Sequence, residues 1–231
     1  LVVGVGGLGC PAAWALAHAG VGLIGLCDDD VVERTNLHRQ VLFHDADVGS
    51  PKVAAAAQRL RGLGASSIRT HDHRLLPENA VDVVAGYDIV LEGSDNFATK
   101  FLASDACRIA RVPVVHASAV RWVGTALAVG PAGRPCYRCL FEDVPVEDAP
   151  NCSEAGVMGP VVGVVAAAQV DLALAIVDGL AVAGHLVTVD GRSRSARRRV
   201  AAVRADCELC GPEPRIRRID AATYLSPPCA G

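Results

Sequence analysis

Four of the nine cysteines in this 231-residue chain form two C-x-x-C pairs, Cys136/Cys139 and Cys207/Cys210, separated by a long insert. Four thiolates presented by two knuckles suit tetrahedral Zn²⁺, and a site closed in this way is structural, with no open position for a reactant. Reactive chemistry is better supported by the first half of the chain. Gly4, Gly6 and Gly9 fit G-x-G-x-x-G within G-V-G-G-L-G, with Gly7 inside the motif. Such glycines permit a tight turn, let backbone N–H groups approach a phosphate, and let a helix pack closely on a strand. Asp28 opens the acidic run that ends at Asp30, where a carboxylate accepts hydrogen bonds from ribose hydroxyls. Asn36, Arg39 and Gln40 follow in T-N-L-H-R-Q, and Lys52 stands at a helix start. Two cations and two amides beside a nucleotide are equipment for a triphosphate. Asp95, next to Asn96 in E-G-S-D-N, offers a carboxylate for Mg²⁺ against phosphate oxygens, or else a helix N-cap.

The elements that must position these residues are legible in the hydrophobic pattern. Leu1 to Val5 and Val21 to Cys27 read as buried strands flanking an apolar helix. Ser50 and Pro51 suggest the N-cap and first position of a helix through about Leu63. Ile68 to Arg74 reads as a strand, Glu78 to Gly86 as a short helix, and Asp88 to Leu91 as a strand. Ser94 or Asp95 would cap a helix through Ala110, followed by a strand from Val112 to Val115. This alternation predicts an α/β fold with a doubly wound, Rossmann-like, mostly parallel sheet, whose ligands gather outside the carboxyl ends of the strands. Beyond Arg121 the texture changes. Trp122 to Val129, Leu186 to Asp190 and Arg197 to Val203 suggest an additional antiparallel region, with an apolar helix from about Val157 to Leu180. One domain over 1–231 is the economical reading, with a nucleotide-binding half (1–120) and a zinc-containing half (121–231).

Composition excludes several classes. A net charge of −3 and a pI near 6.2 argue against nucleic acid as the main partner. Leu1 to Cys27 is apolar but glycine-rich and carries the glycine fingerprint, while Asp171 and Asp178 interrupt the second apolar stretch, so neither reads as a membrane span. No signal peptide is recognisable, and cysteine use fits a cytoplasmic protein without disulfides. The chain does not begin with Met, so an upstream segment is expected.

Other candidates have weaker chemistry. Cys152 sits in an acidic loop ahead of a helix, where a thiolate is favoured by the helix start and opposed by Glu147, Asp148 and Glu154. The basic run from Arg192 to Arg199 is either a solvated surface or a dock for an acidic partner. The histidines show no metal-ligand spacing that competes with the cysteines.

Taken together, G-V-G-G-L-G, D-D-D-V-V-E-R-T-N-L-H-R-Q, G-S-P-K, S-D-N, A-V-R-W-V-G, C-Y-R-C, N-C-S-E-A-G-V-M-G-P and C-E-L-C-G resemble, in order and over nearly the whole chain, the MoeB/ThiF family. These are adenylyltransferases of ubiquitin-like sulfur carriers, related to ubiquitin-activating enzymes. The resemblance implies that Gly7 and Asp28 contact ATP, that Asn36, Arg39 and Lys52 handle its phosphates, and that Asp95 holds Mg²⁺ with Asn96 beside it. It further implies that a carrier's C-terminal Gly-Gly carboxylate attacks the α-phosphate, that sulfur is added later from another protein, and that the enzyme is a homodimer. Cys152 falls where some relatives use a thiol in transfer. Relatives usually carry a helix before the first strand, with an arginine that reaches the partner's ATP site, and some add a rhodanese-like domain after the last cysteines. Neither is in this sequence, so a separate sulfur donor is expected. A dinucleotide-dependent oxidoreductase would explain Gly4 to Gly9 and Asp28 but leave Arg39, Lys52 and Asp95 without a task. A module that docks a carrier without activating it is the third reading.

Overall fold

Short apolar runs build the centre of the molecule. The computed structural model describes residues 1–63, 65, 67–143 and 155–224. Val2–Val3 (β1), Ile24–Cys27 (β2), Ile68–His71 (β3), Val90–Glu92 (β4) and Val114–Val120 (β5) pair in parallel. Val123–Val129 (β6), His185–Asp190 (β7) and Ser195–Val200 (β8) continue the same sheet antiparallel, giving the order β3-β2-β1-β4-β5-β6-β7-β8. Every residue of β1, β2 and β4 is buried, as expected of parallel strands covered on both faces.

Among the described residues, five α-helices cover the sheet: Gly9–His18 (α1), Lys52–Gly62 (α2), Ala80–Ala85 (α3), Phe97–Ala110 (α4) and Gly159–Val177 (α5). The cores divide accordingly, α1, α2 and α5 contributing to one apolar layer and α3 and α4 to the other. β1 lies between β2 and β4, with Val2 opposite both Leu26 and Leu91. The chain winds outward from β1 to β3 and returns at β4, so the junction of β1 and β4 is the topological switch point, where ligands of such sheets bind.

The predicted alternation holds; most elements are shorter than the pattern suggested, but β5 is longer, starting at Val114 and running on to Val120, and β7 begins one residue earlier, at His185. β1 covers only Val2–Val3, and β2 begins at Ile24 and not Val21, because Ala19 and Gly20 form the turn out of α1 and the chain bends again at Gly22; β3 stops at His71, and β8 runs from Ser195 to Val200. Two capping expectations are corrected. α2 begins at Lys52, with extended Pro51 in the cap place and no side-chain cap bond. Neither Ser94 nor Asp95 caps α4; Asn96 does, its side chain accepting the Thr99 N–H at 2.8 Å.

α5 is long and apolar enough to cross a membrane by composition alone. Here it packs against β5, β6, β7 and α1, burying Val161, Val165, Leu172 and the polar Gln169. It is a core helix with one open face, on which Val164 is half exposed.

Candidate nucleotide site and cysteine cluster

The glycine loop joins β1 to α1 at the switch point. Gly4 has φ +83°, a backbone state that side chains resist, and a Cβ there would lie 3.0 Å from Ser94 N. A Cβ on Gly9 would meet the Gly4 carbonyl at 1.9 Å. The loop is therefore wedged against the turn after β4 on one side and under the first turn of α1 on the other. Beside it opens a cavity of about 370 Å³. Gly4, Gly6, Gly7, Asp28, Asp30, Asn36, Arg39, Gln40, Lys52, Asp95 and Asn96 all line it. Gly9 does not, since it is the packing glycine of the motif.

Asp28 holds the loop as well as facing the cavity. Its carboxylate accepts the Val5 N–H at 2.6 Å and the Asp30 N–H at 2.9 Å. Burial raises its pKa, outweighing the opposing pull of Lys52 and of these two N–H bonds, so further donors would be welcome there. Buried Lys52 donates to Asp30 at 2.7 Å, and Arg74, a lining residue not anticipated from sequence, pairs with Asp29 at 3.1 Å. Arg39 lies over Gly7 and has no ion-pair partner among the described residues. Gln40 is 3% exposed, and its Oε1 is buried without a hydrogen-bond partner. Asp95 is exposed and has no hydrogen-bond partner among the described residues. In all, five carboxylates (Asp28, Asp29, Asp30, Glu33, Asp95) and three cations (Arg39, Lys52, Arg74) border the cavity. That balance repels a bare triphosphate and favours one accompanied by a divalent cation.

Behind this edge lies a polar network that sequence reading missed. Glu92 ends β4 fully buried. One of its oxygens accepts the Ser94 N–H at 2.7 Å and the Ser94 hydroxyl; the other takes Lys100 Nζ at 2.9 Å and His116 Nδ1 at 3.1 Å. Burial alone would raise its pKa, but Lys100, His116 and Ser94 reverse the sign and hold it at about 2. Lys100 is thus spent on Glu92 and the Ala117 carbonyl and is no cation for a ligand. Gln169 reaches across from α5, its amide donating to the carbonyls of Glu92 at 2.9 Å and Val115 at 2.7 Å. The available signal was Lys100 itself, three residues after Phe97 and adjacent to Phe101 on a helix whose inward face is apolar.

Both cysteine knuckles follow strands, β6 and β8, that end at the opposite sheet edge, as the pairings of Val129 with Val114 and of Val200 with His185 require. The four Sγ atoms lie within 4.8 Å of one another, with Cys136–Cys139 at 3.8 Å, Cys136–Cys207 at 3.4 Å and Cys139–Cys210 at 3.3 Å. Tetrahedral Zn–S bonds of about 2.3 Å put the sulfurs roughly 3.8 Å apart, so the cluster fits zinc. Between the first two cysteines, buried Arg138 pairs with Asp105 of α4 through three hydrogen bonds of 2.9–3.1 Å, and the Tyr224 hydroxyl donates to the same carboxylate at 2.7 Å. By contrast, burial pushes the Cys10 and Cys27 thiols up to about 12, which makes them inert. Cys152 lies outside the described residues. The basic run is split between the turn holding Arg192 and Arg194 and the mostly exposed strand β8 holding Arg197, Arg198 and Arg199, where Arg198 contacts Asp171 at 3.2 Å.

Comparison with known proteins agrees with this geometry. The ThiF family model matches residues 1–211. The chain is 44% identical over 224 residues to adenylyltransferase and sulfurtransferase MOCS3 of Mus musculus, covering 95% of this chain and 49% of that protein. It is 41% identical over 215 residues to the SAMP-activating enzyme E1 of Haloferax volcanii, covering 91% of this chain and 79% of that one. The chain thus spans about half the length of the MOCS3 relative. Among solved structures, E. coli MccB with MccA-N7isoASN shares the fold at a TM-score of 0.79 and 22% identity, over 91% of this chain and 66% of MccB. MccB with ATP gives 0.78 at 21% identity, over 90% and 65%.

Proposed function

The chain belongs to the ThiF family, and on that premise we propose that it adenylates the C-terminal glycine carboxylate of a ubiquitin-like sulfur-carrier protein ending in Gly-Gly. The observation that carries the reading is the convergence of Asp28, Arg39, Lys52 and Asp95 on one cavity at the switch point. An oxidoreductase has no use for the last three.

In this reading Asp28 accepts the ribose hydroxyls, which relieves the cost of its burial. The N–H groups of Gly6 and Gly7, with Asn36, Arg39, Gln40 and Lys52, receive the phosphates, and Asp95 with Asn96 beside it holds Mg²⁺. The carrier carboxylate attacks the α-phosphorus; an O–P bond forms, the bond to the β-phosphate oxygen breaks, and pyrophosphate leaves with the electron pair. Two anions must meet for this to happen. Arg39 and Lys52 offset their repulsion and stabilise charge developing on the phosphoryl oxygens. Mg²⁺ supplies further charge neutralisation when bound.

The half spanning 121–231 takes the carrier in this reading, and zinc on Cys136, Cys139, Cys207 and Cys210 stiffens it. The open face of α5 contributes to a homodimer. A separate protein supplies sulfur for the thiocarboxylate. Cys152 acts in that later transfer, so Cys152→Ala should slow thiocarboxylate formation and leave pyrophosphate exchange intact; unimpaired thiocarboxylate formation would reduce Cys152 to a bystander, and lost exchange would contradict the mechanism.

The deciding experiment is ATP–pyrophosphate exchange with and without a carrier. Exchange that requires the terminal Gly-Gly is the expected result. Carrier binding without exchange would leave a docking module, and reduction of a nicotinamide or flavin cofactor would return the oxidoreductase.

A further inference from the structure

Asp95 has no side-chain anchor of its own among the described residues, yet a metal ligand has to be held within a fraction of an ångström of its working position. The turn carrying it is fixed from both sides. Downstream, Asn96 caps α4. Upstream, Ser94 is clamped to Glu92 by its backbone N–H and its hydroxyl together. Glu92 cannot shift in response, because its other oxygen is taken by Lys100 and His116 and its carbonyl by Gln169. The glycine loop closes the remaining side: Gly4 lies against Ser94 N, and a Cβ on Gly93 would lie 3.1 Å from Leu8 Cβ. The segment 93–96 thus has one available path across the cavity rim.

We infer that Glu92, acting through Ser94, is a positioning residue for Asp95: the buried Glu92–Lys100 pair sets where the metal-holding carboxylate stands relative to the glycine loop. This rests on the reading of Asp95 as the Mg²⁺ ligand. A buried ion pair is weak evidence of stabilisation, since well-packed apolar residues often replace one at no cost. Its value here is the fixed acceptor it presents to Ser94. A purely structural pair and a positioning pair therefore predict different behaviour once the pair is replaced.

Two variants separate them. Glu92→Leu with Lys100→Met keeps volume and leaves no unpaired charge, while withdrawing the acceptor from Ser94. Ser94→Ala removes only the hydroxyl bond and spares the interior. In folded protein, the double variant should raise the Mg²⁺ concentration for half-maximal pyrophosphate exchange roughly tenfold or more, the scale of one lost hydrogen bond to a charged group, with a smaller rise for Ser94→Ala. Titration calorimetry gives a readout independent of turnover: ATP affinity should be unchanged in EDTA and weakened when Mg²⁺ is present. Amide hydrogen exchange at Ser94 should also accelerate. An unmoved Mg²⁺ requirement in both folded variants overturns the inference. Asp95→Ala tells its failure from that of the underlying reading: a shifted requirement in Asp95→Ala alone sinks only the positioning role, whereas no shift in Asp95→Ala sinks both.

Discussion

The cavity at the switch point and the interior around α4 hold similar charged residues in opposite conditions. At the cavity the valences are open. Asp95 and Arg39 have no ion-pair partners among the described residues, one end of the Gln40 amide is unpaired, and burial works against the Asp28 carboxylate. In the interior the carboxylates are filled: Glu92 accepts from Ser94, Lys100 and His116, and Asp105 from Arg138 and Tyr224, although His116 Nε2 is buried without a partner among the described residues. The difference teaches how to tell a group that waits for a ligand from one that holds the fold. Burial alone does not separate them, since Gln40 and Glu92 are both buried while Asp95 is exposed; among the described carboxylates, what differs is whether charged partners are already in place, absent at Asp95 and present at Glu92 and Asp105.

The contrast can be broken most severely in the interior. Arg138→Met should cost about 3–5 kcal/mol, because it strands the buried Asp105 carboxylate. Urea unfolding should show the loss, and ATP affinity of the folded protein should not change; an unaffected midpoint would mean that the network is decoration. Cys207→Ser should abolish zinc binding and lower the melting temperature by roughly 10 °C or more, loss of a structural metal being among the larger single-site effects. Metal analysis and calorimetry check this together, and full stability without zinc would remove its structural role. On the cavity side, Arg39→Ala should slow exchange roughly 100-fold while leaving the unfolding midpoint in place. A normal rate would take Arg39 out of the chemistry.

The smallest effect sharpens the interior's account through pH. Glu92 has an ordinary pKa of 4.5 and is held at about 2 in the fold. A lowered carboxylate pKa contributes stability that is fully present above 4.5 and is lost as pH falls toward 2. Burial also lowers the His116 pKa, against the pull of Glu92, so proton uptake by the unfolded imidazole works in the same acid-destabilising direction. The Glu92→Leu/Lys100→Met protein should show a flatter decline of its urea midpoint between about pH 5 and pH 2. An unchanged slope would assign acid sensitivity to other groups.

Much of the cavity was legible beforehand because its residues are constrained by backbone geometry. Gly4 and Gly9 leave no room for a side chain, and Asp28 stands directly after the end of β2, so type and spacing carry the message. The paired C-x-x-C motifs were legible for the same reason. What escaped reading depends on contacts between distant segments. Glu92 meets Lys100 from a helix and His116 from the next strand, and nothing local distinguishes it from an exposed glutamate. The cap of α4 was misplaced because Ser94, Asp95 and Asn96 are all good cap residues; Glu92's claim on Ser94 leaves Asn96 to do it. Strand ends were misplaced in both directions, β3 read too far at Arg74 and β5 ended too early at Val115, because residue type alone does not say where ladder hydrogen bonding starts and stops.

Gln169 gives the long helix α5 something its apolar surface cannot. A helix of Val, Ala and Leu can slide along a sheet, or turn about its own axis, and still find greasy contacts of similar quality. The amide of Gln169 permits one answer, since both of its hydrogens are engaged by carbonyls on two adjacent strands. A shift by one turn would abandon all three groups in a dry interior, at about 1–3 kcal/mol each. The residue thus works as a keyway: it selects one angular setting among many nearly equal ones, and it does so directly behind the strand end from which the Asp95 turn departs.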